Sequence, residues 1–118
     1  MSYNLFLDDT REPHKFLNDY IRAWVVVRTY SDFCKTITEQ GLPGFISYDH
    51  DLADEHYVQS VDYTKFKEKT GYDCALWLIN YCQRTKKPLP NWQVHSMNPV
   101  GRANINDLLI RFKESEYL

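Results

Sequence analysis

An α/β fold, with a short and mostly parallel sheet between helices on both faces, is what this 118-residue chain predicts. Three observations carry that reading. Short apolar runs alternate with segments of helical period, and such alternation implies right-handed crossovers between parallel strands. Three of the runs stop on polar clusters: Asn4-Leu5-Phe6-Leu7 on Asp8 and Asp9, Phe45-Ile46-Ser47-Tyr48 on Asp49, His50 and Asp51, and Trp92-Gln93-Val94 on His95, Ser96 and Asn98. Open α/β sheets place their sites at the carboxyl ends of their strands, so parallel pairing would gather these groups at one edge.

Each element has its own justification. Leu5 to Leu7 is fully apolar, as expected of a strand covered on both faces. Asp8 to Pro13 is polar and turn-like, and a short helix around His14 to Tyr20 follows. Ala23 to Tyr30, with three consecutive valines, reads as the second strand, and Arg28 lies near its end. Ser31 can cap a helix whose apolar face is Phe33, Cys34 and Ile37, and Gly41, Pro43 and Gly44 stop it. Phe45 to Tyr48 is the third strand.

Residues 53–69 are rich in charge and tyrosine without a sustained period, and read as a long loop or lid with a helical turn across Tyr63 to Lys67. Its lysines, Lys65, Lys67 and Lys69, read as a solvated face. Thr70 and Asp73 form a capping-box pair ahead of a helix over 71–86, where Ala75, Leu78, Ile79 and Cys82 make the stripe. Pro88 and Pro90 are expected to end it. Trp92 to Ser96 is the fourth strand, and Asn98 caps a last helix with Pro99 at its first position and Ile105, Leu108, Leu109 and Phe112 facing inward.

Composition narrows the function. This length suits a single domain, residues 1–118, and a hydrophobic share of 43% argues against disorder. The charge of −2 disfavours a long nucleic-acid duplex as partner, because gripping a phosphate backbone needs a basic face. A small phosphorylated ligand, a nucleotide or an RNA end stays open. No run has the length of a membrane span and no basic-then-apolar leader is seen, so no membrane partner and a cytoplasmic residence are expected. Cys34, Cys74 and Cys82 lack metal-ligand spacing and read as reduced, largely buried thiols.

The strand ends supply the chemistry. Asp8, Asp9 and Asp49 are candidate metal ligands, since Mg²⁺ takes oxygen ligands and needs only one or two carboxylates beside phosphate and water. Turn formation by one of the aspartates, or pairing with Arg11, is the plainer account. His95 and His50 are candidate proton carriers, because imidazoles titrate near neutrality, and Asp49 or Asp51 can orient either ring. Alternation puts Asp49 and Asp51 on one side of the strand and His50 on the other, which makes His95 the better catalytic candidate. Arg11, Arg28 and Arg102 are candidates for holding an anion, with a solvated surface role the plainer account of Arg28 and Arg102, and so are the helix-start N–H groups between Asn98 and Gly101. Thr70, Gly71 and Asp73 are explained as a helix start, and His14 and His56 carry no chemical argument.

Paired aspartates after strand one and an aspartate after strand three resemble the receiver domains of response regulators. That resemblance implies a flavodoxin-like three-layer sandwich with strand order 2-1-3-4, magnesium at the carboxylates, and phosphoryl transfer through Asp49. The receiver pattern also asks for Ser or Thr after strand four and Lys after strand five. Here His95 stands after strand four and no fifth strand is evident, so ordinary phosphorelay is not expected. The Leu-Phe-Leu-Asp-Asp-x-Arg-x-Pro start at 5–13, the Ser-Tyr-Asp-His-Asp-Leu run at 47–52, Thr-Gly-x-Asp at 70–73, and His95, Asn98, Pro99 and Gly101 are similar to the divergent cyclic-phosphate-processing receiver-like domains. This resemblance spans nearly the whole chain outside 53–69. It implies a hydrolase, a Mg²⁺- or Mn²⁺-assisted phosphoesterase for a cyclic phosphate, nucleotide or RNA-end phosphoester. The alternative is a non-catalytic receiver-like module that binds a phosphorylated ligand or a protein partner. An interaction protein whose polar edge is only an inherited feature is a third reading.

Overall fold

The computed structural model describes residues 2–18, 22–52 and 69–115. Four parallel strands, β1 (Asn4–Leu7), β2 (Trp24–Val27), β3 (Phe45–Tyr48) and β4 (Asn91–Val94), lie in the order β2-β1-β3-β4. The connecting helices are α1 (Pro13–Phe16), α2 (Tyr30–Gln40), α3 (Gly71–Thr85) and α4 (Pro99–Ser115). Together they form a three-layer α/β sandwich.

Strand order explains how the helices divide between the faces. The β1-to-β2 connection moves one way across the sheet, whereas β2-to-β3 and β3-to-β4 move the other way. Right-handed crossovers therefore send α1 to one face and α2 and α3 to the opposite one. α4 joins α3 there. On that helical face Leu5, Leu7, Val27, Ile46 and Tyr48 meet Phe33, Ile37, Cys74, Ala75, Leu78, Ile105 and Leu109 in one buried core. Leu108 and Phe112 pack against it partly buried. The other face carries the alternate residues, Phe6, Trp24 and Phe45 among them, and these rings touch one another. The single turn of α1 lies on this face and brings Phe16 against His95, and Arg22 lies over the Trp24 and Phe45 rings.

Several boundaries differ from the sequence expectation, each for a local reason. β2 stops at Val27 rather than running to Tyr30, because Thr29 caps α2 by accepting from the Asp32 N–H at 3.1 Å. Thr29 therefore takes the capping role expected of Ser31. Of the helix expected over 14–20, residues 19–20 lie outside the described residues, the described part is one turn, and Asn18 beyond it has φ 52°. α3 ends before its prolines, at Lys86 in the left-handed conformation. β4 ends at Val94, which leaves His95 and Ser96 beyond the paired ladder. The residues 53–68 of the expected lid lie outside the described residues. Cys34, Cys74 and Cys82 are free thiols, two of them buried. No helix of the described residues is long and apolar enough to cross a membrane.

Candidate functional site

The register aligns the site. Leu7, Tyr48 and Val94 are the last paired residues of β1, β3 and β4, and they lie in one row. The next residue of each strand is Asp8, Asp49 and His95. Each hands its N–H to the strand beside it: Asp8 to Val27 O at 3.1 Å, Asp49 to Leu7 O at 2.9 Å and His95 to Tyr48 O at 2.9 Å. Because side chains alternate along a strand, these three point to the same face as Phe6, Ser47 and Gln93, away from the main core. Their ligand atoms lie within 4.8 Å of one another, and all three side chains are buried.

Hydrogen bonds hold this cluster in place. Asp8 Oδ1 accepts from the N–H groups of Thr10 and Arg11, at 3.0 and 2.9 Å, and forms the turn that follows β1. Asp8 Oδ2 lies 3.0 Å from His95 Nε2 and 3.7 Å from Arg11 Nη1. His95 Nδ1 meets Ser47 Oγ at 2.7 Å, and Ser47 Oγ accepts from Gln93 Nε2 at 2.9 Å. The His95 ring stacks on Phe6 at 4.5 Å, nearly parallel, with the edge of Phe16 at 5.5 Å. Arg11 in turn lies over Phe16 at 4.4 Å.

The carboxylates are electrostatically unequal. Burial alone would raise Asp8, but the His95 hydrogen bond and the two N–H groups hold it below the usual carboxylate range. Asp49 is pushed up to about 7, by burial and then by the charge of Asp8, with Arg11 opposing. Asp9 is also raised, by burial and again by Asp8. Its Oδ1 is buried without a hydrogen-bond partner. Crowded oxygen donors that resist joint ionisation, one of them unspent, fit a hard divalent cation.

Other expected site residues are placed elsewhere. His50 turns to the helical side, where its Nδ1 meets Asp51 Oδ1 at 2.8 Å. The chain bends at His50, so Asp51 does not continue the alternation that would have set it beside Asp49. Asp51 faces Asn98 Nδ2, 3.4 Å from each of its oxygens. His50 also lines a cavity of about 530 Å³ between α3 and α4, with Thr70, Tyr72, Asp73, Asn104 and Arg111. Asn98 Oδ1 accepts from Gly101 N at 3.0 Å and so caps α4, while Arg102 reaches Ser96 O at 3.5 Å. Arg28 is spent on structure: it donates to Asp8 O, Arg11 O and Glu12 Oε1 and clamps the loop after β1. Ser47 and Gln93 had no assigned role in the sequence reading. The signal was present, because each stands two residues before Asp49 or His95 on the same side of its strand.

The chain matches the family model of the cyclic-phosphate processing receiver domain over residues 3–111. Neither a curated protein nor a solved structure matches it.

Proposed function

The chain belongs to the cyclic-phosphate processing receiver family, and from that premise we propose that it is a metal-assisted phosphoesterase opening a cyclic phosphate on a nucleotide or RNA end. The observation that carries this reading is the buried convergence of Asp8, Asp49 and His95 at the carboxyl edge of three parallel strands. Asp8 and Asp49 would hold Mg²⁺ or Mn²⁺, with Asp9 offering its unspent Oδ1. A cation bound there would polarise a phosphoryl oxygen and lower the pKa of a bound water.

The chain's own residues supply the rest. Arg11 Nη1 is buried with no hydrogen-bond partner, so it has an N–H to donate to a phosphoryl oxygen. Phe16 beneath the guanidinium limits its reorientation. Asp49, with its raised affinity for a proton, can take one from the attacking water when no cation claims that oxygen. His95 Nε2 is set to deliver a proton to the ester oxygen as the ring P–O bond breaks. The water's hydroxyl ends on phosphorus and its proton, by way of these groups, on the released ribose hydroxyl. Free thiols and the lack of a membrane-spanning helix among the described residues are consistent with the cytoplasmic residence we propose alongside this reaction.

A panel of 2′,3′- and 3′,5′-cyclic nucleotides and cyclic-phosphate RNA ends, assayed with Mg²⁺, Mn²⁺ or chelator, tests the reading. Metal-dependent ring opening supports it, and His95→Gln should then slow turnover by roughly 10²–10⁴-fold with the fold intact. Saturable binding of a panel member without turnover would replace the enzyme by a module that reads a phosphorylated ligand.

A further inference from the structure

We propose that Ser47 and Gln93 are positioning residues that fix His95 with its proton on Nε2, so that His95 faces the carboxylates as a hydrogen-bond donor and stands outside the cation's ligand set. The inference rests on the metal-assisted reading above and gives His95 one of the two roles that its position leaves open.

Donors and acceptors in the network close in one direction only. Gln93 donates an amide N–H to Ser47 Oγ, which leaves the single Ser47 hydroxyl proton to be given elsewhere. Its other neighbour is His95 Nδ1 at 2.7 Å, so Ser47 donates and Nδ1 accepts. The remaining ring nitrogen, Nε2, lies 3.0 Å from Asp8 Oδ2. An ionised carboxylate only accepts, so Nε2 carries the proton. Every donor then meets an acceptor from Gln93 to Asp8.

The ligand role requires the reverse. A coordinating Nε2 offers its lone pair, which moves the proton to Nδ1. Ser47 Oγ would then accept from both Nδ1 and Gln93, and its own proton would be left without an acceptor in this network. Ser47 is fully buried, and a buried hydroxyl left without an acceptor loses the water bonds it has given up with nothing in return. Ring rotation offers no escape, because Phe6 stacks flat on the imidazole and Phe16 meets it edge-on. A site left with carboxylate ligands alone suits hard Mg²⁺ or Mn²⁺ better than imidazole-seeking Zn²⁺.

Long-range ¹H–¹⁵N correlation of the histidine ring reads the tautomer directly, with no substrate present. In the cation-free protein, and again at saturating Mg²⁺, His95 should show a protonated Nε2 and an accepting Nδ1. A protonated Nδ1 with bare Nε2 in either state would overturn the proposal. Gln93→Glu converts the first donor of the network into an acceptor, so Ser47 should turn its proton to Glu and Nδ1 should become protonated. An unchanged His95 spectrum in that variant would mean that the Gln93–Ser47 pair does not control the ring. Turnover enters neither readout, so loss of the phosphoesterase reading in the cyclic-phosphate assay would be recognised separately.

Discussion

Asp8 and Asp49 sit side by side yet respond to the site in opposite directions, which makes stability depend on pH in two windows. Asp49 is pushed up to about 7 by burial and by Asp8, so in the cation-free protein its contribution is full below the unfolded carboxylate value near ~3.9 and is lost as pH rises through about 7. Denaturant unfolding without cations should show stability falling across that interval. Asp49→Asn, which has no proton to lose, should flatten the fall; the same slope in both proteins would assign it to another group. Asp8 is lowered, so its contribution is present above the ordinary carboxylate value and is lost as pH drops below it. Asp8→Asn should therefore soften the acid limb of the same curves and, by removing a charge that helps to raise Asp49, also shrink the neutral limb. The positions of these aspartates were legible as charges ending apolar runs. Their inequality was not, because it depends on which carboxylate receives the His95 contact and the turn N–H groups, and both arise from three-dimensional pairing.

At the scale of elements, two glycines set how closely the helices approach the strand ends. A Cβ on Gly71 would collide with the Asp49 carbonyl oxygen, and one on Gly101 would land on the His50 ring at Cγ, with Cβ and Cδ2 only 2.7 Å away. The starts of α3 and α4 thus press on the two residues that follow β3. Gly71→Ala and Gly101→Ala should each destabilise the protein by at least about 1–3 kcal/mol, the usual cost of overpacking. The neighbours differ in kind, and this gives a sharper check. Against a His50→Ala background the cost of Gly101→Ala should shrink, since the obstructing ring is gone, while the cost of Gly71→Ala should persist, since its obstacle is backbone. Equal shrinkage of both would indicate that the loop after β3 relaxes as a unit. The capping pair Thr70–Asp73, with Thr70 N donating to Asp73 Oδ2 at 2.8 Å, and the Asn98 cap were legible from spacing. The glycine contacts were not, since a glycine in the first turn of a helix reads only as permissive. α1 was overestimated for a related reason: the residues that follow Pro13 do not reveal that the helix stops at Phe16, with Asn18 in the left-handed conformation.

For the molecule as a whole, parallel pairing followed from alternating elements and the right-handed crossover rule, strand order followed from the resemblance to receiver domains, and the polar edge followed from parallel pairing. The face carrying Asp8, Asp49 and His95 could not be inferred from apolar runs alone, because Leu5-Phe6-Leu7 is apolar on both sides. Only the register reveals that Phe6, Ser47 and Gln93 form one row beneath the site. That row ties the site to global stability, since a cation held between β1 and β3 binds the folded chain and not the unfolded one. At a free cation concentration one hundred times its dissociation constant, linkage gives about 2.7 kcal/mol. For a domain of this size that corresponds to a rise in Tm on the order of 10 °C. Protons compete for the same oxygens, and because Asp49 is protonated below about 7, the rise should be large near pH 8 and much smaller near pH 5.5. Scanning calorimetry with Mg²⁺ and Mn²⁺ at both values, on wild type and Asp49→Asn, measures this directly. A Tm rise of equal size at the two pH values, or one that survives in Asp49→Asn, would place the cation away from the β1–β3 edge and remove the electrostatic basis for the proposed chemistry.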